Sequence, residues 1–338
     1  MKTKKLQTTI HDVAKAAGVS VSTVSRVLND KDDVSASTHE KVQKVIEELG
    51  YTSNLAARSM RSRKTNVIGL IMPDLEEPFP LEIMKGVNQA ITEHDYDLIV
   101  YTNGDFRKNS SAQKERHYVS LLNNSIADGV IIVTPTTTTF ATDAPVVAVD
   151  PNNESPDCPA VIAANRDGAL QVMDYLTSLG HRRIGYIGGR RDLQSAIRRE
   201  KGYLDGLKKA GIQVDPQLIS DGDFTLESGV ECGRKLLDLP NRPTAIFAAN
   251  DQSAFGAIEA AESLGLRVPE DVSIVGFDNI PESKYAYAQG LTTVDQSVRQ
   301  MGITAAEMLF DLINGKELEN SMKKLPTQLI KRNSCSPV

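Results

Sequence analysis

From residue 66 onward the chain alternates short apolar runs with longer amphipathic ones, and this alternation limits the possible folds more than any other feature. Apolar runs at 67–72, 98–101, 130–133 and 146–149 read as buried strands, with helices at 81–94 and 111–123. A second series places strands near 184–187, 218–220, 245–247 and 274–277, separated by helices near 166–179, 196–210, 226–237 and 253–264. Strand and helix in alternation mean parallel sheets with helices on both faces, because parallel neighbours need a crossover. The stretch is longer than one such sheet requires, so two doubly wound α/β lobes are expected, with a cleft beyond their strand C-termini.

The residues before this stretch have a different character. The 338-residue chain carries a net charge of −6, which by itself argues against a polyanion partner. Divided after Asn66, however, the first part holds 12 Lys+Arg against 7 Asp+Glu, and the remainder 26 against 37. A head of +5 on a body of −11 is the asymmetry of a polyanion-binding module joined to something else. Three short helices are legible in the head. Thr8 or Thr9 caps the first, which carries Ile10, Val13, Ala14 and Ala17 and ends at Gly18. Ser20 caps a second over 21–28, with Val24, Val27 and Leu28 inward and Val21, Ser22, Ser25 and Arg26 outward. A third opens at Ser35 or Ser37, where Ser37 and Glu40 match a capping box. Its apolar stripe is Val42, Val45, Ile46 and Leu49, and it stops at Gly50.

Helix, glycine turn and a short helix with small polar residues at its start form a helix-turn-helix. Small side chains at Ser20, Ser22, Thr23 and Ser25 let the helix N-terminus approach phosphates. Arg26 can reach guanine O6 and N7, and Val21 a thymine methyl.

The segment Thr9-Ile10-His11-Asp12-Val13-Ala14-Lys15-Ala16-Ala17-Gly18-Val19-Ser20-Val21-Ser22-Thr23-Val24-Ser25-Arg26-Val27-Leu28-Asn29 closely resembles the DNA-binding signature of the lactose/galactose repressor (LacI/GalR) family. The resemblance continues through Val34-Ser35 and Glu47-Glu48-Leu49-Gly50-Tyr51, then to Gly69-Leu70-Ile71-Met72-Pro73-Asp74, Gly180-His181-Arg182-Arg183, Ala249-Asn250-Asp251 and Val275-Gly276-Phe277-Asp278. It implies a helix-turn-helix domain at 1–50, a hinge helix and linker at 51–65, and a periplasmic-binding-protein-like effector and dimerisation core at 66–338. DNA contacts are then expected from Thr9, Ser20, Val21, Ser22, Thr23, Ser25, Arg26, Asn29, Ser35 and Asn54. In the hinge, Met60 stands where relatives wedge a Leu into the minor groove, and Ala57 lets two hinge helices approach. The stretch at 180–185 resembles the family's passage into the second lobe.

For an effector the resemblance points to Arg199, Asn250, Asp278 and Phe224, and less directly to Asp74, Phe79, Asp150 and Gln296. Hydroxyl partners beside an aromatic face suit a sugar. A purine or a sugar phosphate is the alternative effector, and a sugar-binding transport component the alternative function. Many relatives have Asp-Asn where this chain has Ala164-Asn165, which leaves open whether Asp167 substitutes.

Other chemistries find no motif. Gly185-Tyr186-Ile187-Gly188-Gly189 lacks the dinucleotide spacing, and neither a phosphate loop nor a nucleophile elbow occurs. The five histidines share no ligand spacing, and the pairs Asp32-Asp33 and Glu76-Glu77 read as solvated loop residues. No enzyme, cofactor or metal is expected. Cys158, Cys232 and Cys335 are isolated, Met1-Lys2-Thr3-Lys4-Lys5 has no apolar run behind it, and no run spans a membrane. The expectation is a cytoplasmic homodimer on pseudo-palindromic double-stranded operator DNA.

Overall fold

The computed structural model describes residues 8–28, 33–51, 64–104, 111–122, 126–285 and 290–338. They fall into two units, Met1–Thr65 and Asn66–Val338. The expected DNA contacts Asn29, Asn54, Ala57 and Met60, and with them most of the hinge helix, lie outside the described residues.

The first unit holds α1 (Ile10–Ala17), α2 (Val21–Leu28) and α3 (Ala36–Leu49). Thr9 and Asp12 close a reciprocal cap on α1: the Thr9 N–H donates to Asp12 Oδ2 at 2.9 Å, and Thr9 Oγ1 accepts the Asp12 N–H. Gly18 ends the helix at φ 64°, a conformation that costs glycine nothing. Val13, Ala17, Val24, Val27 and Val42 form the centre of the small core. Three details depart from the sequence reading. Val21 is half-buried against this core, since the turn at Val19 brings the start of α2 under α1. Ser35 stands at the N-cap of α3, and no box forms between Ser37 and Glu40. Leu49 is 39% exposed.

The second unit contains two six-stranded sheets. In the first, strands run in the order β11-β5-β4-β3-β1-β2, all parallel. They are β1 (Val67–Met72), β2 (Asp97–Thr102), β3 (Gly129–Val133), β4 (Val146–Val149), β5 (Ala160–Ala163) and β11 (Met322–Leu325). β1 is buried along its whole length because both faces are covered. Ile68, Leu70 and Met72 face one hydrophobic layer, and Val67 and Ile71 the other. The helices α4 (Pro78–Thr92) and α5 (Ser111–Leu121) connect the early strands.

The second sheet runs β12-β10-β9-β8-β6-β7, with only β12 antiparallel. Its strands are β6 (Ile184–Ile187), β7 (Ile219–Ser220), β8 (Ala245–Ala248), β9 (Ser273–Asp278), β10 (Thr292–Asp295) and β12 (Gln328–Ile330). The helices α6 (Asn165–Ser178), α7 (Gln194–Lys209), α8 (Leu226–Leu237) and α9 (Asp251–Ser263) pack on its two faces. The last helix, α10 (Val298–Ile313), follows β10 yet packs in the first lobe, where Met301, Ala305 and Leu309 join its core.

The chain therefore passes between the lobes three times: between β5 and α6, between β10 and α10, and between β11 and β12. The first passage is at Ala164, not at 180–185, because α6 already packs in the second lobe with Ile184 and Tyr186. No helix among the described residues is long and apolar enough to cross a membrane.

Candidate ligand cleft and nucleic-acid interface

One cavity is lined throughout by residues at or beyond the C-termini of parallel strands. Pro73, Glu77, Phe79 and Pro80 come after β1, Thr134 after β3 and Asp150 after β4. From the second lobe come Arg190, Leu193, Ser195 and Arg199 after β6, Asp223 and Phe224 after β7, Asn250 after β8, and Asp278 at the end of β9. The space is ≈ 650 Å³, part of it open to solvent. Four of these positions, Thr134, Asp150, Phe224 and Asp278, hold positive φ of 45°, 49°, 75° and 110°. Side-chain-bearing residues in that region are strained, and such strain gathers at binding sites.

Arg199 is the hub. Ser195 and Arg199 are one turn apart on α7, and Tyr203, a turn further, anchors the helix by donating to the Ile184 carbonyl at 2.9 Å. Arg199 is 3% exposed, and its guanidinium carbon lies over the Phe277 ring, 3.9 Å from the centroid. It donates to Asn165 Oδ1 at 2.8 Å, to the Ala249 carbonyl at 2.6 Å and to Gln296 Oε1 at 3.3 Å, and Asp278 Oδ1 lies 3.0 Å away. Gln296 Nε2 in turn donates to Asp278 at 2.6 Å. Burial pushes Asp278 up to about 7; Arg199 pulls the other way, while Asp251 and Asp150 add to the rise. Burial also raises Asp150, against Arg199 and a hydrogen bond from Ser195. Asp150 Oδ1 finds no hydrogen-bond partner. Asn250 caps α9, accepting the Ser253 N–H at 2.9 Å and donating to the Phe224 carbonyl at 2.8 Å.

Of the eight expected effector residues, Phe79, Asp150, Arg199, Phe224, Asn250 and Asp278 line this cavity. Asp74 and Gln296 do not. Asp74 accepts the Glu76 N–H at 3.1 Å and shapes its own loop, and Gln296 is buried behind Arg199 and Asp278. Asp167 does not replace the missing carboxylate at Ala164, because it pairs with Lys324 at 2.8 Å on the surface. The neighbouring Asn165 reaches Arg199 instead. Glu77, read as solvated, is half-buried in the cavity wall. Thr134 and Ser195 carried no sequence signal. Nor did Glu115, a buried carboxylate on α5 that accepts the Thr136 and Thr137 N–H groups at 3.0 and 2.8 Å and so fixes the loop beyond Thr134.

In the first unit Ser20 Oγ accepts the Thr23 N–H at 3.0 Å, and Ser22 and Arg26 are exposed on α2. Arg26 Nε lies 3.3 Å from Asp33 Oδ2, with both side chains more than half exposed. Thr9 and Ser35 stand at the N-caps of α1 and α3.

A three-helix head with a helix-turn-helix, carried by a two-lobed binding body, is the build of a ligand-responsive DNA-binding regulator. Residues 9–54 match the family described as bacterial regulatory proteins, lacI family, and residues 173–335 match a periplasmic binding protein-like domain. The HTH-type transcriptional regulator DegA of Bacillus subtilis (strain 168) is 35% identical, with 98% of this chain and 99% of that protein covered. Among solved structures, a complex of the transcriptional regulator CelR with cellobiose is 33% identical with a TM-score of 0.71, covering 97% of this chain and 99% of that one. A lac repressor dimer bound to operator and the anti-inducer ONPF is 30% identical with a TM-score of 0.86 at the same coverage. The chain belongs to the lacI family of bacterial regulatory proteins.

Proposed function

We propose that this protein is a cytoplasmic, homodimeric repressor that binds a pseudo-palindromic operator and releases or holds it according to a neutral sugar bound between its lobes. Residues 1–50 are the DNA-binding domain, 51–65 the hinge that enters the minor groove, and 66–338 the effector and dimerisation core. Ser20, Ser22 and Thr23 hold phosphates at the start of α2, while Arg26 reads a guanine edge. The two-fold symmetry of a dimer puts two such helices in successive major grooves.

The observation that carries the sugar reading is the acceptor-rich cavity floor beside aromatic walls. Asp150 Oδ1 is buried and without a partner, so a ligand O–H there satisfies an otherwise costly acceptor. Asp278 accepts from further hydroxyls, and Phe79 and Phe224 offer apolar faces to ring C–H groups. A phosphate is disfavoured, since the Arg199 guanidinium is already engaged and Arg190 pairs with Asp192. The cellobiose-bound relative supports the same class.

Arg199 also carries the coupling. Its partners Asn165 and Gln296 sit at two of the three passages between lobes, so a ligand on Arg199 and Asp278 biases the lobe angle directly. An equilibrium of that kind shifts only by the ligand's differential affinity for its two states. Thermal-shift screening against neutral sugars, sugar phosphates and purines tests the reading: a sugar at 100-fold over its Kd adds ~2.7 kcal/mol. Stabilisation by a phosphate or a purine alone overturns it.

A further inference from the structure

We propose that Gly189 is a positioning residue of the effector cleft: lacking a side chain, it is the bed on which the Phe224 ring lies, and it thereby sets the aromatic wall of the cavity. The inference rests on the sugar reading for its ligand arm and stands on geometry alone for the rest. A Cβ built at Gly189 falls 2.1 Å from Phe224 Cζ, 2.3 Å from Cε1 and 2.6 Å from Cε2, and these are its three nearest neighbours. The Gly189 backbone has no positive φ, so an alanine meets no conformational strain there, and the ring is the obstacle.

The backbones on both sides are fixed. Gly188 N–H donates to the Ser220 carbonyl at 2.8 Å, and a Cβ at Gly222 would stand 2.4 Å from the Gly188 carbonyl oxygen, so the two loops touch. The Phe224 carbonyl is held by Asn250 Nδ2 at 2.8 Å, and Thr225 caps α8. The far end of the Phe224 ring, half-buried at the cavity edge, is the part that can yield. Gly189 is buried and does not line the cavity, whereas Phe224 does, 5.7 Å from the Arg199 guanidinium. A methyl group at 189 therefore tilts the ring toward the ligand space and spoils the flat face a sugar ring needs.

The full-length protein labelled with fluorophenylalanine provides the test, with the Phe224 line among the eight phenylalanines assigned by its loss in Phe224→Leu. Gly189→Ala is expected to move the Phe224 ¹⁹F line and leave the thermal midpoint nearly unchanged. Cellobiose titrations are expected to weaken ~10-fold or more in Gly189→Ala, with the Gly189→Ala/Phe224→Leu pair no weaker than Phe224→Leu alone, because coupled sites are non-additive. An unmoved Phe224 line overturns the proposal, as do cellobiose losses that multiply in the pair. Wild-type protein that ignores cellobiose counts against that sugar as ligand, while the Phe224 line still decides the role of Gly189.

Discussion

Asp278 is 7% exposed, adjoins Arg199 and is nevertheless pushed up to about 7 by burial. Its ordinary value is 3.8, so between those limits the folded protein holds a proton that the unfolded chain has released. The contribution of this group to stability is thus complete below about 4 and is lost as pH rises to 7. Urea melts from pH 4 to 8 should show Asp278→Asn gaining on wild type by up to ~1.4 kcal/mol per pH unit through that window. A pH-independent difference contradicts the assignment. Asp278→Ala should keep operator affinity and lose the effector response, read by DNA binding with and without sugar. At the other end of the chain, the exposed Arg26–Asp33 pair holds Arg26 only weakly, at ~0–1 kcal/mol, so a base edge can replace it. Arg26→Ala should cost ~1–3 kcal/mol at the cognate site and relax discrimination at one base pair, measured on matched and mismatched duplexes. An equal loss on all sequences makes Arg26 a phosphate contact only.

Elements meet closely where α7, the helix of Ser195 and Arg199, crosses α6. A Cβ at Gly202 would lie 2.5 Å from Ala169 Cβ and 2.6 Å from the Arg166 carbonyl oxygen, and the backbone there has no room to give. Gly202→Ala should lower stability by ~1–3 kcal/mol, seen as a lower urea midpoint at unchanged slope. Strands β1, β4 and β6 were legible because burial on both faces writes short apolar runs, and α8 because its buried residues recur at helical spacing; all four have the bounds that the pattern indicates. β11 (Met322–Leu325) was not legible, since its Lys323 and Lys324 are exposed at the sheet edge and break the run. β5, with the sequence Ala-Val-Ile-Ala, is too short for periodicity to announce. The same limit applies to the site. Asn250 and Asp278 at strand ends, and Arg199 on α7, follow from the pattern and the resemblance, whereas Gln296 acts from behind them and the loop after Thr134 is held by Glu115, which accepts the N–H of Thr136 from 21 positions earlier in the chain. Contacts of that kind exist only once the chain has folded.

At the scale of the whole molecule, charge and connectivity divide the work. The +5 of the first 66 residues is doubled in a dimer, while the −11 of the body should disfavour DNA contact there. Operator binding should accordingly weaken steeply with salt, as counterions return to the phosphates. In the proposed function connectivity supplies the response, because Arg199 ties the ligand space to Asn165 and Gln296 at two passages between the lobes. Gln296 lies behind the lining and holds Arg199 and Asp278 from there, so Gln296→Leu should retain sugar binding and shrink the sugar's effect on DNA; a full effect in that variant would place the coupling elsewhere. The most direct test is the operator affinity of the full-length protein, on a duplex selected from random sequence, with and without the sugar that stabilises it in thermal-shift screening. The expected result is a change of ~5–150-fold, the ordinary range of allosteric coupling, that disappears in Asp278→Ala. An operator affinity unmoved by a sugar that demonstrably binds the cleft would contradict the account.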